Sequence, residues 1–239
     1  MVNSLIKLLM INIRAIINIL GFLLVIEGIF ILTSVPIALI YGESDSYAFI
    51  ISGLGAVLLG GISWLLTFRS RLSISKKDGY IIVSLGWVIF SLIGAVPFVI
   101  GGAIPSFTDA FFETMSGFTT TGASILNDIE SLSHGMLFWR SLTQWIGGMG
   151  IIVLSLAILP LLGIGGMQLF IAEVPGPTPD KLHPRIKGTA SRLWIIYVLF
   201  TFFEVILLWL GDMNLFDSVC HSFTTMATGG YSTKQASIA

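Results

Sequence analysis

Long apolar runs separated by short polar connections fill most of this chain. A helix needs roughly 20 apolar residues to cross a hydrocarbon layer about 30 Å thick. Five runs reach or approach that length: residues 15–41, 46–68, 80–102, 136–165 and 193–211. Each predicts a membrane-spanning helix. Pro36 and Pro97 fall near one end of their runs, where a kink is tolerated. Two further runs, 107–118 and 216–226, are apolar but only about a dozen residues long. That is the length of a re-entrant or buried helix, too short to span.

Composition turns this pattern into a class. Of 239 residues, 55% are hydrophobic and 10% charged, where a soluble domain carries about 25% charged residues. The expected fold class is therefore all-α integral membrane. A net charge of -1 gives nucleic acid no basic face to bind, so membrane lipid is the first partner expected. The single cysteine, Cys220, excludes an internal disulfide, and His134, His183 and His221 are scattered without metal-ligand spacing. No small-residue cleavage site follows the first apolar run, which reads as a retained span. No nucleophile–base pair stands near the spans, so an enzyme is the least favoured class and no cofactor is expected.

Charge sets an orientation. With the N-terminus in the cytoplasm, the inner side collects Lys7, Arg14, Arg69, Arg71, Lys76, Lys77, Lys181, Arg185, Lys187 and Arg192. These are ten of the twelve basic residues, with Arg140 and Lys234 alone outside. The outer side collects Glu43, Asp45, Asp109, Glu113, Asp128, Glu130, Asp212 and Asp217. Any one of these acids reads as an ordinary loop charge. Together they make an electronegative mouth that concentrates cations.

An internal repeat adds the chemistry. Residues 107–122 and 215–230 share an Asp, a short helix-like apolar run and a Thr-rich tract ending in Thr-Gly. Asp109 and Asp217 are placed to cap their short helices. Aligning the Asp residues gives a spacing of 108 and pairs Gly122 with Gly230. Aligning the Thr-Gly pairs gives 107 and pairs Gly122 with Gly229. The sequence leaves both registers open. One Thr-Thr-Gly tract alone is a common polar turn. Its recurrence, each time after a span and a short apolar run, favours a site at the repeat interface. A cation shedding water needs replacement oxygens, and backbone carbonyls supply them without fixed charge. Glycine permits the left-handed backbone that points carbonyls one way.

These residues resemble the Trk/Ktr superfamily of potassium transporters, and within it the TrkH-like subunits. The resemblance rests on Asp109-Ala110-Phe111-Phe112-Glu113, Ser116-Gly117-Phe118-Thr119-Thr120-Thr121-Gly122-Ala123, Arg140-Ser141-Leu142-Thr143-Gln144-Trp145-Ile146-Gly147-Gly148-Met149-Gly150, and Thr225-Met226-Ala227-Thr228-Gly229-Gly230-Tyr231-Ser232-Thr233. Residues 172–177 are similar to the family's link between repeats. The resemblance implies M1–pore-loop–M2 repeats of the potassium-channel-like type, preceded by two extra transmembrane helices. Residues 1–72 would hold those two helices, 73–172 the first repeat, and 173–239 a second repeat cut after its filter. On this view the chain is the N-terminal half of a subunit, as a fragment or as one part of a split subunit.

The same resemblance implies potassium uptake across the bacterial cytoplasmic (inner) membrane, with K+ held by Thr119, Thr120, Thr121, Gly122, Ala227, Thr228, Gly229 and Gly230. It implies a homodimer and a cytosolic, TrkA-like nucleotide-binding regulator, which the basic segment 181–192 would contact if it does not meet anionic lipid. Related plant transporters with Ser at the first filter glycine are associated with sodium, so Gly122 tilts the expectation to potassium. Sodium or mixed-cation permeation in the same fold is one alternative, and a non-conducting membrane subunit is another. Glu27 and Glu204 lie inside apolar spans, where helix-to-helix hydrogen bonds are expected for them. Gly147, Gly148 and Gly150 are expected to pack around the filter. Arg140 should snorkel or pair with an outer acid such as Glu113.

Overall fold

The computed structural model describes residues 11–68, 75–162 and 183–237. The expected link at 172–177, and the basic residues Lys7, Arg69, Arg71 and Lys181, lie outside them. The described residues are all helical and loop. The order is α1 (Ile13–Leu32), α2 (Ser34–Ile40), α3 (Ser46–Thr67), α4 (Lys76–Gly94), α5 (Val96–Ile100), α6 (Phe107–Phe118), α7 (His134–Leu162), α8 (His183–Leu210) and α9 (Leu215–Met226).

Length and hydropathy make four stretches competent to cross a membrane: Ile13–Ile40, Ser46–Thr67, Lys77–Ile100 and Ser191–Leu210. They match four of the five predicted spans. The fifth prediction corresponds to α7, a helix of 29 residues. The breaks between α1 and α2 and between α4 and α5 follow from Pro36 and Pro97. A proline has no N–H for the carbonyl four residues earlier, and its ring crowds that carbonyl. At the second break the Trp139 Nε1 donates to the Gly94 carbonyl at 2.9 Å. The two short runs form α6 and α9, each 12 residues long.

Local chemistry starts the helices. Ser75 and Asp78 form a reciprocal capping box at α4, and Asp78 also accepts the Asn12 N–H at 2.9 Å, which ties α1 to α4. At α6 and α9 the caps are Ser106 and Asn214, whose side chains accept from the N–H groups of Asp109 and Asp217. The expectation that the two Asp residues cap is thus corrected. They stand three residues inside, where a carboxylate still meets the positive end of the helix.

Helices α1 and α3 pack through glycine. Gly21 lies against Gly60 and Gly28 against Gly53, and each contact is reciprocal. A Cβ at Gly28 would stand 2.7 Å from the Gly53 oxygen, and one at Gly60 would stand 2.6 Å from the Gly21 oxygen. Without hydrocarbon-driven burial between spans, such close backbone approach is what holds them together. A second cluster, centred on Phe49, Phe98, Phe118, Met136 and Trp139, joins α3, α5, α6 and α7. Outward the molecule is apolar: α3 exposes Leu58, Leu65 and Leu66, and α8 exposes Phe200, Phe202, Trp209 and Leu210. Patches of that kind belong to a protein solvated by lipid.

Glu27 does not meet its expectation. It is buried, and neither carboxyl oxygen has a hydrogen-bond partner among the described residues. The Glu204 carboxyl of α8 lies near the Thr225 side chain of α9.

The glycine packing is testable. Gly28→Leu should destabilise the folded protein by about 1–3 kcal/mol, the usual consequence of overpacking. Gly61→Leu, with no atom within 4 Å of its Cβ position, should be neutral. Thermal unfolding of both variants in detergent measures the difference.

Candidate ion-coordinating loops

Helices α6 and α9 stop in the same way. The Thr120 N–H bonds the Gly117 carbonyl and the Thr121 N–H bonds the Ser116 carbonyl, both at 2.9 Å. In α9 the Thr228 N–H bonds the Thr225 carbonyl and the Gly229 N–H bonds the Thr224 carbonyl, both at 2.8 Å. This paired closure is a Schellman ending, whose turning residue takes a left-handed backbone and is usually glycine. Here it is threonine: Thr120 has φ 54° and Thr228 has φ 55°. A β-branched residue in that region is strained, and such strain concentrates at functional sites. Two residues on, Gly122 and Gly230 are left-handed as well, with φ 76° and 82°.

The register left open by the sequence is thereby closed. Caps, hydrogen bonds and left-handed residues all coincide at a spacing of 108. Gly122 corresponds to Gly230, and Thr121 to Gly229.

Depth follows from α7. Gly147 lies against the Phe118 carbonyl and Gly148 against Ala227, as expected, whereas Gly150 does not meet its expectation and faces the Trp87 ring of α4. Both short helices therefore end about 20 Å along α7 from His134, at 1.5 Å per residue. From there each loop returns to the level where it began. At that end the Ile129 N–H donates to the Gln235 side chain, and the Gln235 N–H donates to the Glu130 carboxylate, both at 3.1 Å. The acidic residues Glu43 and Asp45 gather there too: Glu43 accepts the His134 and Gly135 N–H groups, and Asp45 accepts the Ser133 hydroxyl.

All eight residues expected to hold an ion lie in these two loops, and the loops touch. A Cβ at Gly122 would overlap the Gly229 carbonyl oxygen. Thr121, Thr228 and Gly230 are exposed, and Thr119, Thr120 and Gly122 are half-buried. Ala227 and Gly229 are buried against the protein. The Thr119 hydroxyl bonds the Met115 carbonyl at 2.7 Å, closing its own helix end.

Behind the loops stands a buried ion pair. The Arg140 Nε donates to Glu113 Oε1 at 2.7 Å, with side-chain exposures of 2% and 1%. Glu113 also accepts the Ser124 hydroxyl at 2.9 Å and the Ile125 N–H at 3.0 Å. Arg140 continues to the other loop: Nη1 donates to the Ser232 carbonyl at 3.0 Å, and the guanidinium stacks 3.6 Å from the Tyr231 ring centre. The Tyr231 hydroxyl donates to the Glu113 carbonyl at 2.7 Å. Burial, helped by the Glu113 charge, pushes the Tyr231 phenol well above its ordinary value, so it stays a donor. The second loop has its own ties. His221 Nδ1 donates to the Asp217 carbonyl and Nε2 meets the Ser232 hydroxyl, while Asp217 accepts the Thr233 hydroxyl at 2.7 Å.

Of the two fates expected for Arg140, pairing with Glu113 is the one realised. Sequence reasoning did not assign roles to Gln144, Tyr231, Ser232 or His221. One signal was available: Arg140 and Gln144 are polar residues one helical turn apart in one of the predicted spans, and so share a face.

Known proteins resemble this chain in sequence and in fold. The TrkH family profile, described as cation transport protein, matches residues 45–239. The chain is 46% identical over 228 residues to the Trk system potassium uptake protein TrkH of Salmonella typhimurium, covering 94% of this chain and 47% of that protein. It is 40% identical over 229 residues to the Trk system potassium uptake protein TrkG of Escherichia coli, covering 95% and 47%. The crystal structure of the potassium transporter TrkH from Vibrio parahaemolyticus superposes with a TM-score of 0.83 at 39% identity, covering 95% of this chain and 46% of that one. The chain spans about half the length of the curated relatives it matches. The chain belongs to the TrkH family of cation transport proteins.

Proposed function

We propose that the chain forms part of a potassium-uptake pore in which the loops at 119–122 and 227–230 coordinate dehydrated K+ through backbone carbonyls. The observation that carries this reading is the repeated backbone: the sign of φ alternates along each loop, with left-handed residues at Thr120 and Gly122 and again at Thr228 and Gly230. In an extended strand successive carbonyls point to opposite sides. Reversing the hand at every second residue turns them toward one side, which is the arrangement a carbonyl filter requires. The α6 and α9 helices add the negative ends of their dipoles at the same place. The names of the relatives, potassium uptake proteins, support potassium as the ion.

The rest of the proposal follows the family. Residues 1–72 form two preceding helices, 73–172 one M1–pore-loop–M2 repeat, and 173–239 the opening of another. The subunit sits in the bacterial inner membrane with its N-terminus in the cytoplasm, pairs as a homodimer and meets a TrkA-like cytosolic regulator. The protein acts as a transporter and not as an enzyme. Ten of twelve basic residues on one side support the orientation.

Variants made in the complete gene that encodes the chain test the pore, in cells deficient in potassium uptake. Gly122→Ser combines a side chain at φ 76° with a clash on Gly229. It should lower the potassium-to-sodium uptake ratio about ten-fold, the effect of ~1.4 kcal/mol of differential binding. An unchanged ratio removes Gly122 from the filter. Thr119→Ala should stay within about two-fold of wild type, since it removes only the hydroxyl's bonds to the Met115 carbonyl and the Thr121 hydroxyl and leaves the backbone carbonyls in place. For orientation, cysteines replacing Glu43 and Asp128 should react with an impermeant thiol reagent on intact cells, and cysteines replacing Lys77 and Arg185 should not. External labelling at position 77 would invert the topology.

A further inference from the structure

Gln144 is fully buried on α7, 0% exposed. A polar side chain in a spanning helix is costly unless it finds partners. The Gln144 Oε1 accepts the Tyr231 N–H at 3.1 Å. Only the oxygen of a carboxamide can accept that bond, which fixes which way the group faces. A planar trans peptide carries its N–H and C=O on opposite sides. With the Tyr231 N–H held on α7, the Gly230 carbonyl faces away from α7. Gly230 is exposed, left-handed and free of side-chain restraint, so its peptide is otherwise free to turn over.

The same carboxamide explains a difference between the repeats. At the spacing of 108 the first loop has Thr121 where the second has Gly229. A Cβ at Gly229 would overlap the Cδ, Oε1 and Nε2 atoms of Gln144, so only glycine fits beneath that side chain. Gly229 in turn presents its carbonyl to Gly122. One side chain thus abuts the second loop and, through it, the first.

We infer that Gln144 is a positioning residue for ion selectivity: it locks the Gly230–Tyr231 peptide so that the Gly230 carbonyl faces the ion path, and it sets the spacing of the two loops at Gly229–Gly122. This rests on the reading of 227–230 as filter backbone.

The test compares Gln144→Met, Gln144→Asn, Gln144→Glu and Gly230→Ala in the complete gene. The potassium-to-sodium uptake ratio is read at matched membrane abundance. Met keeps the volume without an acceptor, and Asn keeps the amide but is one methylene too short to reach. Both should lower the ratio about five-fold, the order expected from losing one buried hydrogen bond. Glu retains an acceptor at the right length and should return the ratio most of the way to wild type. If Gly230→Ala lowers the ratio while Met and Asn leave it unchanged, the filter reading stands and the role of Gln144 falls. If Gly230→Ala also has no effect, the filter reading falls and takes this inference with it. If Met and Asn are absent from the membrane while Glu is present, the acceptor is a folding requirement, and the selectivity role is withdrawn.

Discussion

Backbone that leaves the helix inside a membrane loses water as a partner, and each unsatisfied group there costs several kcal/mol. In this chain the Arg140–Glu113 pair meets part of that constraint in each loop. Glu113 takes a hydroxyl and an N–H from the first loop, and Arg140 takes a carbonyl from the second. An ion pair with exposures of 2% and 1% is expensive to bury. Part of that desolvation is offset because Glu113 takes the Ile125 N–H and Arg140 the Ser232 carbonyl, backbone groups with no helix to satisfy them. Stability alone would be served as well by apolar side chains of the same size. What the pair adds is a fixed relation between two irregular segments on either side of one helix.

The two repeats solve the same problem with different chemistry. Glu113 and Ser124 in the first correspond, 108 residues on, to His221 and Ser232 in the second. Both couples join short helix to returning loop, by a carboxylate in one case and an imidazole in the other. The carboxylate has a guanidinium facing it from α7, whereas the imidazole completes its bonding with the Asp217 carbonyl of its own helix. The backbone geometry is shared down to the left-handed threonines, while the side chains behind it differ. Equivalent loops can therefore hold equivalent carbonyls and yet lean on α7 unequally.

Much of this was legible in the sequence, because length and composition speak directly to it. The spans, the two half-length helices and the recurring Thr-Gly tracts are local features with a membrane-imposed scale. The supports behind the loops were not legible, because they join distant segments. Tyr231 reaches Glu113 across 118 residues, and Gln144 reaches Tyr231 across 87. No periodicity reports such pairings. The capping assignment failed on a subtler point: Asp is a good cap by type, but Ser106 and Asn214 stand where the backbone first turns. The expected partner for Glu27 failed because a carboxyl's type does not say which neighbours surround it, and its surroundings include the Cγ2 methyl of Thr114 and the Phe118 ring beside Gly94.

The glycine seam between α1 and α3 bears on how the protein is made. Its contacts, Gly21 with Gly60 and Gly28 with Gly53, need nothing later in the sequence. A chain entering the membrane from its N-terminus can close this hairpin before the first loop has been synthesised. Low contact order makes such a unit fast to form, and early domains fold first during synthesis. The loops, by contrast, depend on Arg140 and on residues beyond 230. A finished hairpin is thus in place as a wall while the irregular, most error-prone backbone is still waiting for its partners.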